Sequence, residues 1–441
     1  MQRIDLPSRR SFLKSLGATV ISAPFITRGL MASSPNGKLR HASFGASGMA
    51  GADLNAIASN STVELVAVAE VDLTRAAEVR KKFPGAKIYQ DWREMLEKEK
   101  LDSVNVSTPD HMHAPMAMAS MQRGLHVYGQ KPLTHDIYEA RRLTEMARAK
   151  KLVTQMGIQV HSAEDYRLAV RLIQDAAIGK VKEVHTWSSK KWGDTAPKPS
   201  RVDAVPADFN WDLWLGVCAE RPFIGQGWYH PGNWRKRLDF GTGTFGDMGC
   251  HIYDPVFKAL ALTAPISVRS EGPTPNEHSW AVDAIIHYVF PATPFTEGKT
   301  VNVTWYDGDQ RPPQEVQALL GAVKLPDQGS IFIGTKGVMV LPHVSKPILL
   351  PAEQFKDYPV PQVGSVNHWK QFVDAALGNG KTAANFDYAG PLTEAVLLGG
   401  VATRFPKATL QWNAAKMKFN SSEANAFVRR TYRRGWEVKG L

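Results

Sequence analysis

The chain has 441 residues and a formal charge of +11, with 43% hydrophobic and 22% charged residues. This composition is ordinary for a globular protein with two or three domains of about 150 residues each. The two cysteines, Cys218 and Cys250, exclude a disulfide framework and any multi-cysteine zinc or iron–sulfur site.

The positive charge is partly concentrated at the N-terminus. Residues 1–32 contain five basic residues and one acidic residue, a net charge of +4, so the rest of the chain carries +7. No run of lysine and arginine is interleaved with aromatic residues, and we therefore expect no nucleic-acid partner.

The first 35 residues have the pattern of an export signal. The arginine pair Arg9 and Arg10 precedes an uncharged stretch from Ser15 to Thr27, which is typical of a twin-arginine signal peptide. The stretch is shorter than the ~20 residues of a membrane span. We expect a periplasmic or otherwise exported protein that contacts a membrane only through this segment, if the segment is not cleaved.

Residues 36–158 alternate strand and helix patterns, which favours a doubly wound parallel sheet of the Rossmann type. One predicted helix, residues 137–150, places Ile137, Ala140 and Leu143 on one face at helical spacing. The predicted strands are 41–45, 63–71, 103–108, 125–128 and 152–157, and the predicted helices are 50–59, 72–82, 113–123 and 137–150.

Residues 159–441 predict an α+β domain that would bind substrate and form subunit contacts. A helix over 165–177 is followed by β-rich runs at 181–188, 284–290, 301–305 and 331–340. Residues 192–206 and 309–328 have the composition of long loops. We expect a large, open, mostly antiparallel sheet, with helices at 365–378 and 390–404 packing back to close the fold.

The turn after the first predicted strand resembles a dinucleotide-binding loop. Gly45, Ser47 and Ala50 occupy the positions of G-x-G-x-x-G/A, with serine at the middle position and Gly48 and Met49 following it. Glu70 ends the second predicted strand, where an acid binds the ribose 2′-hydroxyl and disfavours a 2′-phosphate. This pattern predicts NAD rather than NADP, with Asp72 as an alternative to Glu70.

Three further motifs carry a resemblance to a known family. They are Ser-Thr-Pro-Asp-His-Met-His at 107–113, Val-Tyr-Gly-Gln-Lys-Pro-Leu at 127–133 and Gly-Asp-Met-Gly-Cys-His at 246–251. Together with the glycine loop, they make the chain similar to the Gfo/Idh/MocA family of sugar and polyol oxidoreductases, in an exported bacterial branch.

The resemblance implies three catalytic residues. The family's Glu-Lys-Pro motif places a lysine beside the nicotinamide, and Lys131 matches that lysine, while Gln130 stands in place of the glutamate. The lysine is therefore expected to lack its neighbouring carboxylate. Asp247 and His251 are four residues apart and would share one face of a helix, with His251 taking the substrate hydroxyl proton.

Further residues complete the predicted site. Thr108, Pro109, His113, Gln159, Trp234 and Arg235 are predicted to contact the cofactor, alongside Gln130 and Lys131. Trp187, Lys191, Trp192 and His161 are candidate substrate residues, although tryptophans in sheets are as often part of the core. No third ligand at a telling spacing accompanies Asp247 and His251, so we expect no metal.

Three functions are consistent with these residues. The first is an oxidoreductase that moves hydride between a sugar or polyol hydroxyl and a tightly bound nicotinamide cofactor. The second is an NAD-dependent enzyme that cleaves glycosides by transient oxidation and elimination. The third is a binding protein that has kept the fold and lost turnover. The family resemblance also implies a homo-oligomer, either a dimer or a tetramer.

Overall fold

A computed structural model describes residues 37–441. The predicted export signal at residues 1–35 therefore lies outside the described residues. Within residues 37–441, none of the helices combines the length and the hydropathy needed to cross a membrane.

The first half of the described chain forms the predicted parallel sheet. Its six strands run in the order β3-β2-β1-β4-β5-β6, and every adjacent pair is parallel. This is the strand order of the Rossmann fold. The strands are β1 (Leu39–Phe44), β2 (Val63–Ala69), β3 (Lys87–Tyr89), β4 (Ser103–Val106), β5 (His126–Gly129) and β6 (Thr154–Met156).

Five helices connect these strands. The predicted helix at 72–82 is divided, because the Asp72 carboxylate accepts a hydrogen bond from the Thr74 amide and starts a short 3₁₀ turn, Leu73–Ala76. Strand β3 and helix α3 have no counterpart among the sequence predictions. The three residues of β3 are too few to show the alternation of a strand, and the seven residues of α3 span only two helical turns. The helices are α1 (Met49–Ala58), α2 (Ala77–Lys82), α3 (Trp92–Lys98), α4 (His113–Gln122) and α5 (Ile137–Lys150).

The strand order of this sheet reverses between β1 and β4. From β1 the chain proceeds to β2 and β3 on one side, and β4 to β6 lie on the other. The carboxyl ends of β1 and β4 therefore leave a crevice, which is where ligands bind in open α/β sheets.

The second half builds a nine-stranded sheet in the order β13-β12-β11-β7-β10-β9-β8-β14-β15. Only β7 and β10 pair in parallel, so the sheet is mixed but largely antiparallel, as predicted. The strands are β7 (Val181–Ser188), β8 (Ser267–Glu271), β9 (Ile285–Pro291), β10 (Thr300–Asp307), β11 (Gly329–Gly334), β12 (Val338–Pro342), β13 (Ile348–Leu350), β14 (Thr409–Asn413) and β15 (Lys418–Phe419).

Helices cover this second sheet and close the fold. The predicted helix at 365–378 begins at His368 because the Asn367 side chain caps it, and the one at 390–404 begins earlier, after the Asn385 cap. The predicted loop at 309–328 contains one short helix. The helices are α6 (Glu164–Gln174), α7 (Trp211–Leu215), α8 (Gly243–Ala259), α9 (Gln314–Ala318), α10 (Ala352–Phe355), α11 (His368–Ala376), α12 (Phe386–Ala402) and α13 (Ser422–Asn425).

Helix α8 is buried between the second sheet and α12. The ring of Phe245 occupies the space beside two glycines, because a Cβ at Gly249 would lie 2.6 Å from it and a Cβ at Gly399 would lie 2.5 Å from it. Larger residues at either position would push the two helices apart. This close packing positions the first turns of α8, which carry Asp247 and His251.

His41 gives the parallel sheet a pH-dependent stability. Burial lowers the pKa of this imidazole to about 4, and its ring nitrogens lie 2.9 Å from Ser103 Oγ and Asn105 Oδ1. Because the folded pKa lies below the unfolded value of about 6.5, the associated stability is complete above pH 6.5 and is lost as the pH falls toward 4.

We expect wild-type protein to lose about 2 kcal/mol more unfolding free energy than the His41→Gln variant when the pH is lowered from 7 to 5. Urea denaturation at the two pH values measures this difference. Equal losses in the two proteins would show that His41 does not exclude its proton in the folded state.

Candidate functional site

A cavity of about 270 Å³ lies at the reversal of strand order in the parallel sheet, and we refer to it as the switch-point cavity. It is bounded by the turns that follow β1, β2, β3, β4 and β5 and by three segments of the second half, near Trp214, Trp234 and Asp247. Predicted site residues that line it are Gly45, Ser47, Gly48, Met49, Glu70, Thr108, Pro109, His113, Gln130, Lys131, Trp234, Arg235 and Asp247.

The turn after β1 presents backbone and hydroxyl groups to this cavity. Gly45 has φ +99°, and a Cβ there would lie 2.7 Å from the Ala50 Cβ and 3.0 Å from the Ser107 carbonyl oxygen, so only glycine fits. Helix α1 follows with no side-chain cap at Gly48. The Ser47 Oγ is buried and has no hydrogen-bond partner in the described chain. Uncapped amides and a free hydroxyl form a site suited to an anion such as a phosphate.

Glu70 is held rigidly beside this turn. Its carboxylate accepts hydrogen bonds from the Ala46 amide at 3.0 Å and the Asp72 amide at 3.1 Å. Burial raises the pKa of Glu70, and these hydrogen bonds oppose the rise. Arg75 also lines the cavity and adds a positive charge near the carboxylate. Asp72, the alternative ribose acid, instead pairs with His230 Nε2 at 3.0 Å.

A charged cluster lies at the other end of the cavity. Lys131 Nζ donates to the Asp247 carboxylate at 2.7 Å and to the Asp247 backbone carbonyl at 2.8 Å. Arg235 Nε lies 3.3 Å from the same carboxylate. Burial opposes ionisation of Asp247, but the charges of Lys131 and Arg235 outweigh it and lower the pKa of this carboxyl well below its usual range.

Asp247 therefore provides the carboxylate that Gln130 does not. The expectation of a lysine without a neighbouring carboxylate was wrong, because Asp247 reaches Lys131 from a helix 116 residues further along the chain. Gln130 instead accepts a hydrogen bond from the Lys131 amide at 3.1 Å and donates Nε2 to Asp53 at 2.8 Å. Asp53 is buried and also accepts hydrogen bonds from Ser107 and Trp369.

His251 lies one turn beyond Asp247 on α8 and is buried. Burial and the charge of Lys131 lower the pKa of His251 well below its ordinary value, so the ring is neutral near pH 7. Its Nδ1 has no partner among the described residues. The ring centroid of His343 is 6.0 Å away, and His343 Nδ1 lies 2.6 Å from the Tyr166 hydroxyl.

His113 contacts both the turn after β4 and the segment that carries Lys131. Its ring nitrogens lie 2.7 Å from the Pro132 carbonyl oxygen and 2.8 Å from that of Thr108. Burial lowers the pKa of this imidazole. His113 thus links the two loops that carry Thr108 and Lys131 to the cavity.

Aromatic rings surround the arginine that contacts Asp247. The Arg235 guanidinium lies 4.3 Å from the Trp234 ring centroid and 5.5 Å from that of Trp192. Such cation–π contacts stabilise the position of the guanidinium. Trp192 therefore lies near the charged cluster, although it does not line the switch-point cavity.

The remaining predicted site residues lie elsewhere. Trp187 is fully buried in the second sheet and donates its indole N–H to the Pro326 carbonyl, so its ring belongs to the core and is not a sugar platform. Lys191 is exposed and pairs with Asp309 at 2.6 Å. His161 pairs with Asp254 at 2.8 Å beside a separate cavity. Gln159 starts a 3₁₀ turn, with its Oε1 buried and unpaired in the described chain.

Sequence reasoning missed several residues of the site. Asp53 and Arg75 lie on helical segments, and nothing in their spacing marks them as facing a ligand. Asp110 stands within the quoted Thr-Pro-Asp motif and lines the cavity, so its motif was a usable signal. His343 has no local signal, because it follows an antiparallel strand more than 90 residues from His251.

Among residues 37–441, no three histidine, cysteine, aspartate or glutamate side chains are grouped so that they could hold a metal ion.

Comparison with known families decides where this architecture belongs. Residues 39–158 match the model of an oxidoreductase family with an NAD-binding Rossmann fold, and residues 176–438 match the C-terminal alpha/beta domain of the same family. The chain belongs to the Gfo/Idh/MocA oxidoreductase family. This confirms the family resemblance, and with it the Rossmann fold of the N-terminal half.

Individual relatives are distant. The chain is 23% identical over 188 residues to levoglucosan dehydrogenase from Pseudarthrobacter phenanthrenivorans, which covers 42% of this chain and 40% of that protein. It is 30% identical over 160 residues to inositol 2-dehydrogenase 4 from Saccharopolyspora erythraea, covering 35% and 47%. The chain thus spans about half, or less, of the length of these curated relatives.

A solved structure has the same fold. The WlbA dehydrogenase from Bordetella pertussis, in complex with NADH and UDP-GlcNAcA, superposes with a TM-score of 0.61. The match has 14% sequence identity and covers 85% of this chain and 98% of that chain. At this identity the similarity establishes the fold alone.

Proposed function

We propose that this protein is an oxidoreductase that transfers hydride between a sugar or polyol hydroxyl-bearing carbon and a nicotinamide cofactor. The observation that carries the proposal is the 2.7 Å pair of Lys131 and Asp247 at one end of the switch-point cavity. An anion-binding turn lies at the other end. The names of the relatives, which include dehydrogenases of levoglucosan and inositol, support a carbohydrate substrate.

The residues present fit a dinucleotide. The free Ser47 hydroxyl and the uncapped start of α1 would bind the diphosphate, and Glu70 would contact the adenosine ribose. Thr108, Pro109 and His113 would lie along the nicotinamide half. When bound, NAD would supply the hydride acceptor or donor, which no side chain provides.

The cluster of Lys131 and Asp247, together with His251, would bind the substrate oxygen and accept its proton. Lys131 donates to Asp247, so its ammonium is oriented at the edge of the cavity, where it can hydrogen-bond a substrate hydroxyl or carbonyl oxygen. His251, one turn along α8 from Asp247, does not line the switch-point cavity, but its neutral ring has a buried Nδ1 with no partner in the described chain, and we assign the hydroxyl proton to it.

NAD is the proposed cofactor, in preference to NADP. The fixed carboxylate of Glu70 would repel a 2′-phosphate, whereas Arg75 on the same wall would attract one. Glu70 outweighs Arg75, because two backbone amides hold its carboxylate at the strand end, whereas no side-chain hydrogen bond restrains Arg75 within residues 37–441.

We also propose that the protein is exported through the twin-arginine pathway and acts as a homo-oligomer. An exported enzyme meets little free nicotinamide cofactor, so the nucleotide would stay bound and be recycled by a second substrate. The paired Arg9 and Arg10 support the first proposal.

The decisive measurement is mass analysis of nucleotide released from the purified protein, together with incubation against a panel of sugars, polyols and glycosides. Bound NAD that becomes stably reduced by a sugar supports the proposal. Cleavage of a glycoside without net reduction would support the elimination mechanism instead. A protein that binds no nicotinamide nucleotide would overturn both.

Gly45→Ala is expected to weaken NAD binding at least about tenfold, because φ +99° is strained for alanine and its Cβ would meet Ala50 and the Ser107 carbonyl. Titration calorimetry measures the affinity. Gly85→Ala is the matched control, since a Cβ there meets nothing within 4 Å and its φ is not positive. Equal affinities for the two variants would place the nucleotide away from this turn.

A further inference from the structure

A second cavity of about 270 Å³ lies beside the first turn of α8. Gly246 lines it, whereas the next residue, Asp247, lines the switch-point cavity. Two arginines, Arg404 and Arg430, face this second space, and we call it the arginine cavity. The mechanism proposed above uses neither arginine.

Arg404 offers unused hydrogen-bond donors. Its guanidinium lies 4.4 Å from the Phe427 ring centroid and 5.2 Å from that of Trp280, and within residues 37–441 it has neither an ion-pair partner nor a hydrogen-bond acceptor. Burial lowers the pKa of Arg404, and the charges of Asp239 and Asp136 oppose this effect without cancelling it. The two rings hold the guanidinium plane and leave its N–H groups free.

Arg430 is anchored but also incompletely satisfied. Its Nη2 donates to the Asp239 carbonyl at 3.1 Å and lies 3.3 Å from Cys218 Sγ. Its Nη1 is buried and has no acceptor in the described chain. A buried, unpaired donor of this kind is destabilising unless a ligand or water accepts from it.

The acidic residues at the same cavity are largely engaged. Asp136 accepts from the Arg430 amide at 2.9 Å and lies 2.9 Å from His135 Nδ1, and Asp239 pairs with Arg221 at 2.5 Å. Glu277 is exposed at the rim, where its repulsion of an anion is weakened by salt and is strongest at low ionic strength. The hydrogen-bond donors without partners therefore belong to the two arginines, whereas most carboxylate oxygens at this cavity already have partners. Leu238, Val401 and Phe427 contribute apolar surface to the wall, beside the polar side chains of His135 and Thr242.

We propose that the arginine cavity binds a small organic anion, in which a carboxylate or phosphate is attached to a compact apolar group. Planar guanidinium groups recognise these oxyanions through paired N–H donors. The apolar wall and the Trp280 ring would cover the remainder of such a ligand. This site is separate from the switch-point cavity and does not depend on the function proposed for it.

Calorimetric titration of the full chain with benzoate, phenyl phosphate and uncharged benzamide tests the proposal, with and without saturating NAD. We expect at least one of the anions to bind in both conditions and benzamide not to bind. Arg404→Gln should weaken anion binding at least about tenfold. Arg429→Gln is the control, because Arg429 stacks on Tyr138 at 4.3 Å and lies outside the cavity.

Glu277→Gln provides a test that misfolding cannot imitate. Removing this rim carboxylate should tighten anion binding severalfold at low ionic strength. If Arg404→Gln does not fold, tighter binding by Glu277→Gln supports the proposal, and unchanged or weaker binding overturns it. Binding of neither anion, equal binding of benzamide, or binding that disappears when NAD is added would each overturn it as well.

Discussion

Lys131→Met is expected to lower kcat by about 10²–10⁴-fold on whichever sugar reduces the bound nucleotide, with NAD affinity little changed. The variant removes the ammonium that Asp247 holds at 2.7 Å, while the phosphate-binding turn and Glu70 lie at the other end of the cavity. Steady-state kinetics and nucleotide titration on the same preparation separate the two effects.

The matched control for this variant is Lys258→Met. Lys258 is an exposed lysine on the same helix as Asp247, and its ammonium lies 5.1 Å from the Tyr388 ring centroid. Its loss should leave kcat within about twofold of wild type. If Lys131→Met retained wild-type turnover, the lysine would serve only to pair with Asp247, and the proton-handling role proposed for it would be wrong.

Gln130→Glu is expected to lower the unfolding free energy by about 2–4 kcal/mol, because it places a second carboxylate against the buried Asp53. In the native protein, Gln130 Nε2 donates to Asp53 at 2.8 Å, and burial already raises the pKa of Asp53. Two carboxylates at this distance cannot both ionise, so the loss should grow as the pH rises and one shared proton is removed.

Asp53→Asn should rescue Gln130→Glu, since the amide and the carboxylate would simply exchange positions. Urea denaturation of both single variants and the double variant forms a double-mutant cycle. We expect a coupling of about 1–3 kcal/mol. Additive effects would show that Gln130 and Asp53 do not share a hydrogen bond in solution.

Such a rescue would explain why glutamine is tolerated where the family motif has glutamate. Asp53 on α1 supplies the carboxylate that accepts a hydrogen bond from the Gln130 side chain. Asp247 on α8 supplies the carboxylate beside the Lys131 ammonium. The backbone of Lys131 is still held, because the Gln130 side chain accepts from its amide at 3.1 Å.

Local patterns in the sequence were sufficient to predict the family, the parallel sheet and the turn at Gly45. Glycine spacing, strand–helix alternation and the acid at the end of β2 are features of short segments. They can be recognised from hydrophobic periodicity and from the backbone conformations that glycine allows. The same locality explains the errors at helix boundaries, where side-chain caps such as Asn367 and Asn385 decide the first residue.

The pairings that define the site were decided by tertiary structure. Lys131 meets Asp247 across 116 residues and Gln130 meets Asp53 across 77, and no periodicity reports which side chains such packing brings together. Trp187 is a further residue whose role the sequence could not decide. An indole ring is suited both to stacking on a sugar and to packing in a core, and only the burial of Trp187 in the structure distinguishes the two. The sequence by itself determined which chemical groups were available, whereas the position of α8, between the second sheet and α12, decided which of them share a cavity and which charges compensate one another.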